Sequence, residues 1–211
     1  MNIAIIGSGN VGGTLGTRFA KDLGHKVVFG VRNPDSKDLK KVLDEAGPNA
    51  RAASIADATK VSDVVILATP WPAAKDAIQN AGDLSGKILI DATNPLKADL
   101  SGLEVGRDGS AGELVAQWAP GAKVVKAFNT VGNNVMGDSK FPGGKVALFY
   151  CGNDAEAKKV AATLAAELGF DPLDAGPLTQ CRVLEPFALL WISLAFQAGF
   201  GREIAFQFLR R

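Results

Sequence analysis

The sequence predicts an α/β protein with a doubly wound, mainly parallel sheet, and three observations predict it. An apolar run, NIAIIG, passes straight into a glycine-rich turn, GSGNVG, and then into a segment of helical period. Apolar runs and helix-period segments go on alternating in βα order as far as residue 127. The 211 residues are 47% hydrophobic and 21% charged, enough for one large core or one core with a small appendage.

Each element has its own reason. NIAIIG is a strand by its β-branched content, and Asn10 to Leu23 has helical periodicity that Gly24 ends. KVVFG is the second strand. Asp35 to Ala46 predicts a helix, charged on one face and stopped by Gly47-Pro48, before a short strand near Ala52. DVVILAT is the fourth strand. A helix from Pro72 to Ala81 follows, with proline where the first turn tolerates it. KILIDAT is the fifth strand, SAGELVAQWA a helix and AKVVKAF the sixth strand. Parallel strands joined this way need right-handed crossovers, which gives a Rossmann-type arrangement.

Beyond Phe128 the rhythm changes. NTVGNNVM is a loop or short helix, FPGG a turn and KVALFYCG a strand. NDAEAKKVAATLAAELG is a strong helix, with Asn153 as the expected cap, Glu156 at the capping-box position and Gly169 at the end. DPLDAGPL is extended and turn-rich, and an apolar helix is expected from Thr179. The expected organisation is a dinucleotide-binding Rossmann domain over 1–127 and a small C-terminal α/β extension over 128–211. That extension supplies an acceptor cleft, a dimer contact or both, within one compact unit.

The totals exclude several classes. A net charge of +1 gives no general attraction to nucleic acid or to an anionic membrane. No secretory signal is read at the start, so a cytoplasmic location is expected. Cys151 and Cys181 lack metal or redox spacing and predict two reduced thiols; no metal site is expected. The apolar stretch PFALLWISLAFQAGF, from Pro186, is shorter than the about 20 residues a bilayer span needs. It predicts a helix buried in the fold or in a homodimer.

The glycine turn carries the first functional signal. Gly7, Gly9 and Gly12 have the spacing of a dinucleotide fingerprint between a strand and a helix. The first permits the tight turn, the second lets backbone approach a pyrophosphate, and the third lets the helix pack on the strand. Free N–H groups at the helix start then favour an anion. The tip of the second strand selects the nucleotide. An NAD reader carries an acidic side chain there, but this tip holds Val31, Arg32 and Asn33, with no acid before Asp35. An arginine there pairs with a 2′-phosphate and stacks on adenine, and Ser8 and Lys37 add a hydroxyl and a charge. NADP(H) is therefore the expected cofactor.

Groups for proton transfer are scarce. The single histidine, His25, falls at the amino end of the second strand, away from the edge where ligands bind. The single tyrosine, Tyr150, is followed four residues later by Asp154 rather than by the lysine of short-chain dehydrogenases. Lys97 and Lys126 remain as candidate acids, against the alternative of solvated or salt-bridged lysines. No catalytic residue is assigned. The scarcity suits a hydride acceptor that needs little proton help, such as a flavin or deazaflavin. The loops at the carboxyl edge suit flat rings. Ala68, Thr69, Pro70 and Trp71 follow the fourth strand, with Trp71 and two prolines expected to form a wall. Thr93 and Asn94 follow the fifth strand, and Ala127 and Asn129 close the sixth. Thr93, Asn94 and Asn129 offer hydrogen bonds to a nicotinamide carboxamide. Arg182 either meets an acceptor's phosphate or carboxylate, or pairs at i,i+3 with Glu185.

These motifs together resemble the coenzyme F420-dependent NADP oxidoreductases. The resemblance rests on GSGNVG, GHKVVFGVRNP, the TPW loop, VVKAFNT and, most distinctively, CGNDAEAKKVAATLAAELGFDPLDAGPL. It implies a Rossmann domain with a small C-terminal extension, commonly a homodimer, that moves hydride between NADP(H) and the deazaflavin F420 lying against the nicotinamide. It places Ser8, Gly9, Asn10 and Val11 on the phosphates and Arg32 with Lys37 on the 2′-phosphate. Val31 stands where the family usually has a hydroxyl residue, which implies one phosphate contact fewer. The TNP and KAFNT loops also resemble the oxidoreductase domain of the STEAP metalloreductases, which work through FAD and reduce iron or copper. The expectation is an NADP(H)-dependent oxidoreductase with F420, FMN or FAD as acceptor. The alternatives are a small-carbonyl or imine reductase using Lys126 or water as acid, a ferric reductase, and a non-catalytic NADP(H)-sensing protein.

Overall fold

The computed structural model describes residues 1–106 and 108–211. β1 (Asn2–Ile6) turns through the glycine loop into α1 (Asn10–Thr17), which a wider π-type turn, Arg18–Asp22, prolongs until Gly24 ends it at φ 70°. β2 (Lys26–Gly30), α2 (Lys37–Ala46) and β3 (Ala50–Ala53) follow. α2 starts two residues later than the sequence suggests, because Ser36 Oγ accepts from the Leu39 N–H at 3.3 Å and caps it there. α3 (Ile55–Lys60) was not expected; Ser54 caps it and donates its hydroxyl to Asp57 at 2.7 Å. β4 (Val64–Leu67) leads through a 3₁₀ turn, Trp71–Ala73, into α4 (Ala74–Asn80). β5 (Ile88–Asp91), α5 (Ala111–Trp118) and β6 (Lys123–Lys126) complete the alternating part.

The remainder is α6 (Asn133–Gly137), β7 (Ala147–Gly152), α7 (Ala155–Glu167), β8 (Asp171–Asp174) and α8 (Cys181–Phe196). The cap of α7 is Asp154, which accepts from the Ala157 N–H at 2.8 Å, not Asn153. Asn153 instead accepts from the Leu178 N–H at 2.9 Å and ties the turn before α8 to the end of β7. The shift by one residue takes Glu156 off the capping-box position.

Eight strands form one sheet in the order β3-β2-β1-β4-β5-β6-β7-β8. The first six run parallel, β7 is antiparallel to β6, and β8 is parallel to β7. The strand order reverses between β1 and β4, so the crevice at their carboxyl ends is where such a sheet takes a ligand. Alternate side chains feed two cores. Ile3, Ile5, Phe29, Ile66, Ile90 and Val125 face the layer containing α1 and α7, and Ala4, Ile6, Val28, Val65, Leu67 and Leu89 face the layer of α3, α4 and α5. All four residues of β4 are buried, as expected of a central strand covered on both faces. Among the described residues, no helix is long and apolar enough to cross a membrane.

Candidate functional site

The glycine loop closes by backbone contact. Gly7 has φ 103° and donates its N–H to the Gly30 carbonyl at 3.2 Å. A Cβ on Gly7 would stand 2.7 Å from the Ala68 carbonyl oxygen, and one on Gly12 would stand 2.1 Å from that of Gly7. Neither position admits a side chain. Gly9 differs, since a Cβ there meets nothing within 4 Å. The missing side chain at Gly9 leaves open space in front of the loop at the start of α1, where an anion would meet the helix N–H groups.

A cavity of about 440 Å³ opens there. Gly7, Ser8 and Gly9 form one wall, Val31, Arg32, Asn33 and Ser36 another, and Ala68, Thr69, Pro70 and Ala73 a third. Ile55 and Ala77 make an apolar floor. Arg32 is exposed and, among the described residues, makes no ion pair with a carboxylate. The Thr69 hydroxyl is shielded from solvent and has no hydrogen-bond partner. An open cradle, an uncommitted guanidinium and an orphaned hydroxyl on one wall fit a phosphorylated dinucleotide.

The other expected site residues fall into distinct groups. Asn10 lines a neighbouring cleft of about 570 Å³ with Ser8, Gly9 and Asn134, and Val11 packs against the core. Lys37 is exposed at the start of α2, outside the lining of the first cavity. Trp71 departs from its expected role. It stacks on Trp118 of α5 with ring centroids 5.3 Å apart and an interplanar angle of 27°, so its ring does not wall the cavity. Two large indoles cover each other's apolar area better than one covers a cavity edge.

Thr93, Asn94, Ala127 and Asn129 gather along the same sheet edge, after β5 and β6. Asn94 Nδ2 donates to the Asn129 carbonyl at 2.8 Å, and Asn129 Nδ2 donates to Asn94 Oδ1 at 3.1 Å and to the Leu184 carbonyl at 3.2 Å. Asn129 Oδ1 is buried and unpartnered. Between Ala127 and Asn129 lies Phe128, fully buried with φ 65°, a strained conformation for a residue with a side chain. Thr93 gives both its N–H and its hydroxyl to Asp91 Oδ1, at 2.9 and 2.7 Å.

Lys126 is fully buried, its Nζ 2.9 Å from both Asp91 Oδ2 and Glu185 Oε1. The two carboxylates outweigh the cost of burial and push its pKa up. So held, it has neither the acidity nor the solvent route of the general acid that a carbonyl or imine reductase needs. The sequence carried no sign that Asp91 and Glu185 converge on it. Arg182 does not pair with Glu185. Its guanidinium grips Glu113 through two bonds, at 2.9 and 2.7 Å, and holds that carboxyl below the usual carboxylate range. Glu185 turns inward instead and accepts from the N–H groups of Ala111 and Gly112 at 2.9 and 3.0 Å. His25 is structural, bonded to Glu167 at 2.9 Å and to the amino terminus at 3.1 Å. Cys151 and Cys181 are free and buried, with sulfurs 3.5 Å apart, and burial and their mutual contact push the Cys181 thiol up.

A family model described as "NADP oxidoreductase coenzyme F420-dependent" matches residues 2–95, the segment that builds the cavity. An F420-dependent NADP reductase of Methanocaldococcus jannaschii is 34% identical over 208 residues, covering 92% of this chain and 92% of that protein. The chain belongs to the coenzyme F420-dependent NADP oxidoreductase family. Membership carries the enzyme class, an NADP-dependent oxidoreductase, and leaves the acceptor open. A solved structure of a protein from Arthrobacter sp. FB24 superposes with a TM-score of 0.90 at 35% identity, covering both chains completely. Metalloreductase STEAP3 of Rattus norvegicus is 30% identical over 89% of this chain, which spans 36% of its length.

Proposed function

We propose that the protein moves hydride between NADP(H) and a flat acceptor of the deazaflavin F420 type, with FMN or FAD as the flavin counterparts. The observation that carries this reading is Arg32, free of any carboxylate among the described residues, on the wall of the cavity the glycine loop opens. Ser8, Gly9, Asn10 and Val11 hold the pyrophosphate with backbone N–H groups, while Gly7, its own N–H on the Gly30 carbonyl, and Gly12 keep the loop tight. Arg32, Asn33 and Lys37 gather around the 2′-phosphate, where Val31 offers no hydroxyl. Ile55, Ala73 and Ala77 give the adenine an apolar slot, and Ala68, Thr69 and Pro70 line the path onward.

Thr93, Asn94, Ala127 and Asn129 orient the nicotinamide, with the unpartnered Asn129 Oδ1 accepting from the carboxamide. Bound NADP(H) supplies the hydride chemistry. The chain's part is to orient the two rings and exclude water, which the scarcity of acid–base groups at this edge suits. In this reading 1–127 carries the nucleotide, 128–211 contributes the acceptor cleft and a homodimer contact, and the enzyme works in the cytoplasm.

The test is to mix the protein with NADPH and, in turn, F420, FMN, FAD and a ferric chelate, and to follow the loss of nicotinamide absorbance. Turnover with F420 or a flavin is expected. Tight NADPH binding with no turnover on any of the four favours a sensing protein instead.

A further inference from the structure

We infer that the buried Asp91–Lys126–Glu185 cluster is an electrostatic positioning device: it holds an excess negative charge behind the nicotinamide end of the cleft and favours the oxidised ring over the reduced one. The inference rests on the nicotinamide placement proposed above. Exposure of the three side chains is 0% for Asp91, 0% for Lys126 and 1% for Glu185. One ammonium lies between two carboxylates, 2.9 Å from each. The other partners of those carboxylates are the Thr93 N–H and hydroxyl on Asp91, and the Ala111 and Gly112 N–H groups on Glu185. The ammonium and the three backbone N–H groups can only donate, and they hold both carboxyls as acceptors. One cation against two anions leaves one negative charge over, and the start of α5 offsets only about half a charge.

Holding the fold together does not require this excess. A single carboxylate on Lys126, or apolar residues in all three places, would join β5, β6 and α8 without a surplus buried charge. The cluster is also wired to the site at each corner. Asp91 holds Thr93 directly. Lys126 ends β6 immediately before Ala127, and Asn129 bonds the carbonyl of Leu184, the neighbour of Glu185. In hydride transfer from NADPH, a ring C–H bond breaks with its electron pair, the pair forms the new C–H bond on the acceptor, and the nicotinamide is left positively charged. A fixed anion in a low-dielectric site stabilises that positive charge and leaves the neutral reduced ring unaffected.

Calorimetric titration of the intact protein with NADP⁺ and, separately, with NADPH tests this, alongside the thermal midpoint of each variant. Glu185→Gln and Asp91→Asn each remove one negative charge at different corners. In either, NADP⁺ affinity is expected to fall about tenfold relative to NADPH affinity, whatever happens to the midpoint. The two charge-removing variants stand in for each other if one does not fold. A cluster that only builds the fold would weaken both nucleotides equally or neither. An unchanged ratio in the folded variants, with normal binding by the wild type, overturns this inference alone. Failure of the wild type to bind either nucleotide overturns the nucleotide reading and this inference with it.

Discussion

In the proposed function, nucleotide choice turns on Arg32. It lines the cavity beside Asn33 and, among the described residues, has no carboxylate to satisfy it. Arg32→Ala is expected to raise the KM for NADPH by about tenfold to a hundredfold, the worth of a charge-assisted bond to phosphate, and to leave NADH nearly unaffected. Steady-state kinetics with both nucleotides checks it, and an equal effect on the two would refute the assignment. Val31→Ser restores a hydroxyl and is expected to improve NADPH over NADH by a few-fold, about the value of one exposed hydrogen bond. The place of Arg32 on the cavity wall was legible in the sequence because it depends on spacing from the glycines. Arg182 was not. Its partner, Glu113, lies 69 residues away and meets it only when α5 and α8 pack. Asp91, Lys126 and Glu185 were illegible for the same reason, since three strand or helix positions converge through tertiary packing alone.

At the scale of elements, the glycine turn separates two kinds of requirement. Gly12→Ala puts a Cβ onto the Gly7 carbonyl, where backbone on both sides leaves no room to yield. Its thermal midpoint is expected to drop by about 5 °C or more. Gly9→Ala points its methyl into open space, so that variant is expected to melt with the wild type but to bind NADPH more weakly. Scanning calorimetry and a binding titration on both variants separate the two effects; a Gly9 variant that binds normally would remove the loop from the phosphate site. Ser110 caps α5, accepting from the Glu113 N–H at 3.2 Å. Ser110→Ala is expected to cost about 1 kcal/mol of stability, read as a lower denaturation midpoint. Strands and long helices were legible because periodicity is a local property. α3 escaped although Ser54 and Asp57 form a capping pair at its start. Its six residues are too few to establish a period. The cap of α7 slipped by one because Asn and Asp adjoin and either side chain suits that position.

For the whole molecule, six parallel strands bring the glycine loop and the loops after β2, β4, β5 and β6 to one edge of the sheet. The mainly parallel sheet was legible from βα alternation. The direction of β7 was not, because a strand's sequence does not encode which neighbour it finds. Along α8 and beyond, Val183, Leu190, Phe196 and Phe200 remain 60%, 48%, 56% and 67% exposed. That apolar surface is expected to pair with a second copy. Sedimentation equilibrium should return a dimer for the wild type and a monomer for Leu190→Glu, and a monomeric wild type would leave α8 as a wall of the acceptor cleft only. The Trp71–Trp118 stack makes the molecule its own optical probe. Coupled indoles at the end of the loop bearing Thr69 and Pro70 emit light where reduced nicotinamide absorbs, so a filled cleft should quench ultraviolet emission by energy transfer, while the oxidised form leaves it brighter. Occupancy and redox state can then be followed in one cuvette without a label.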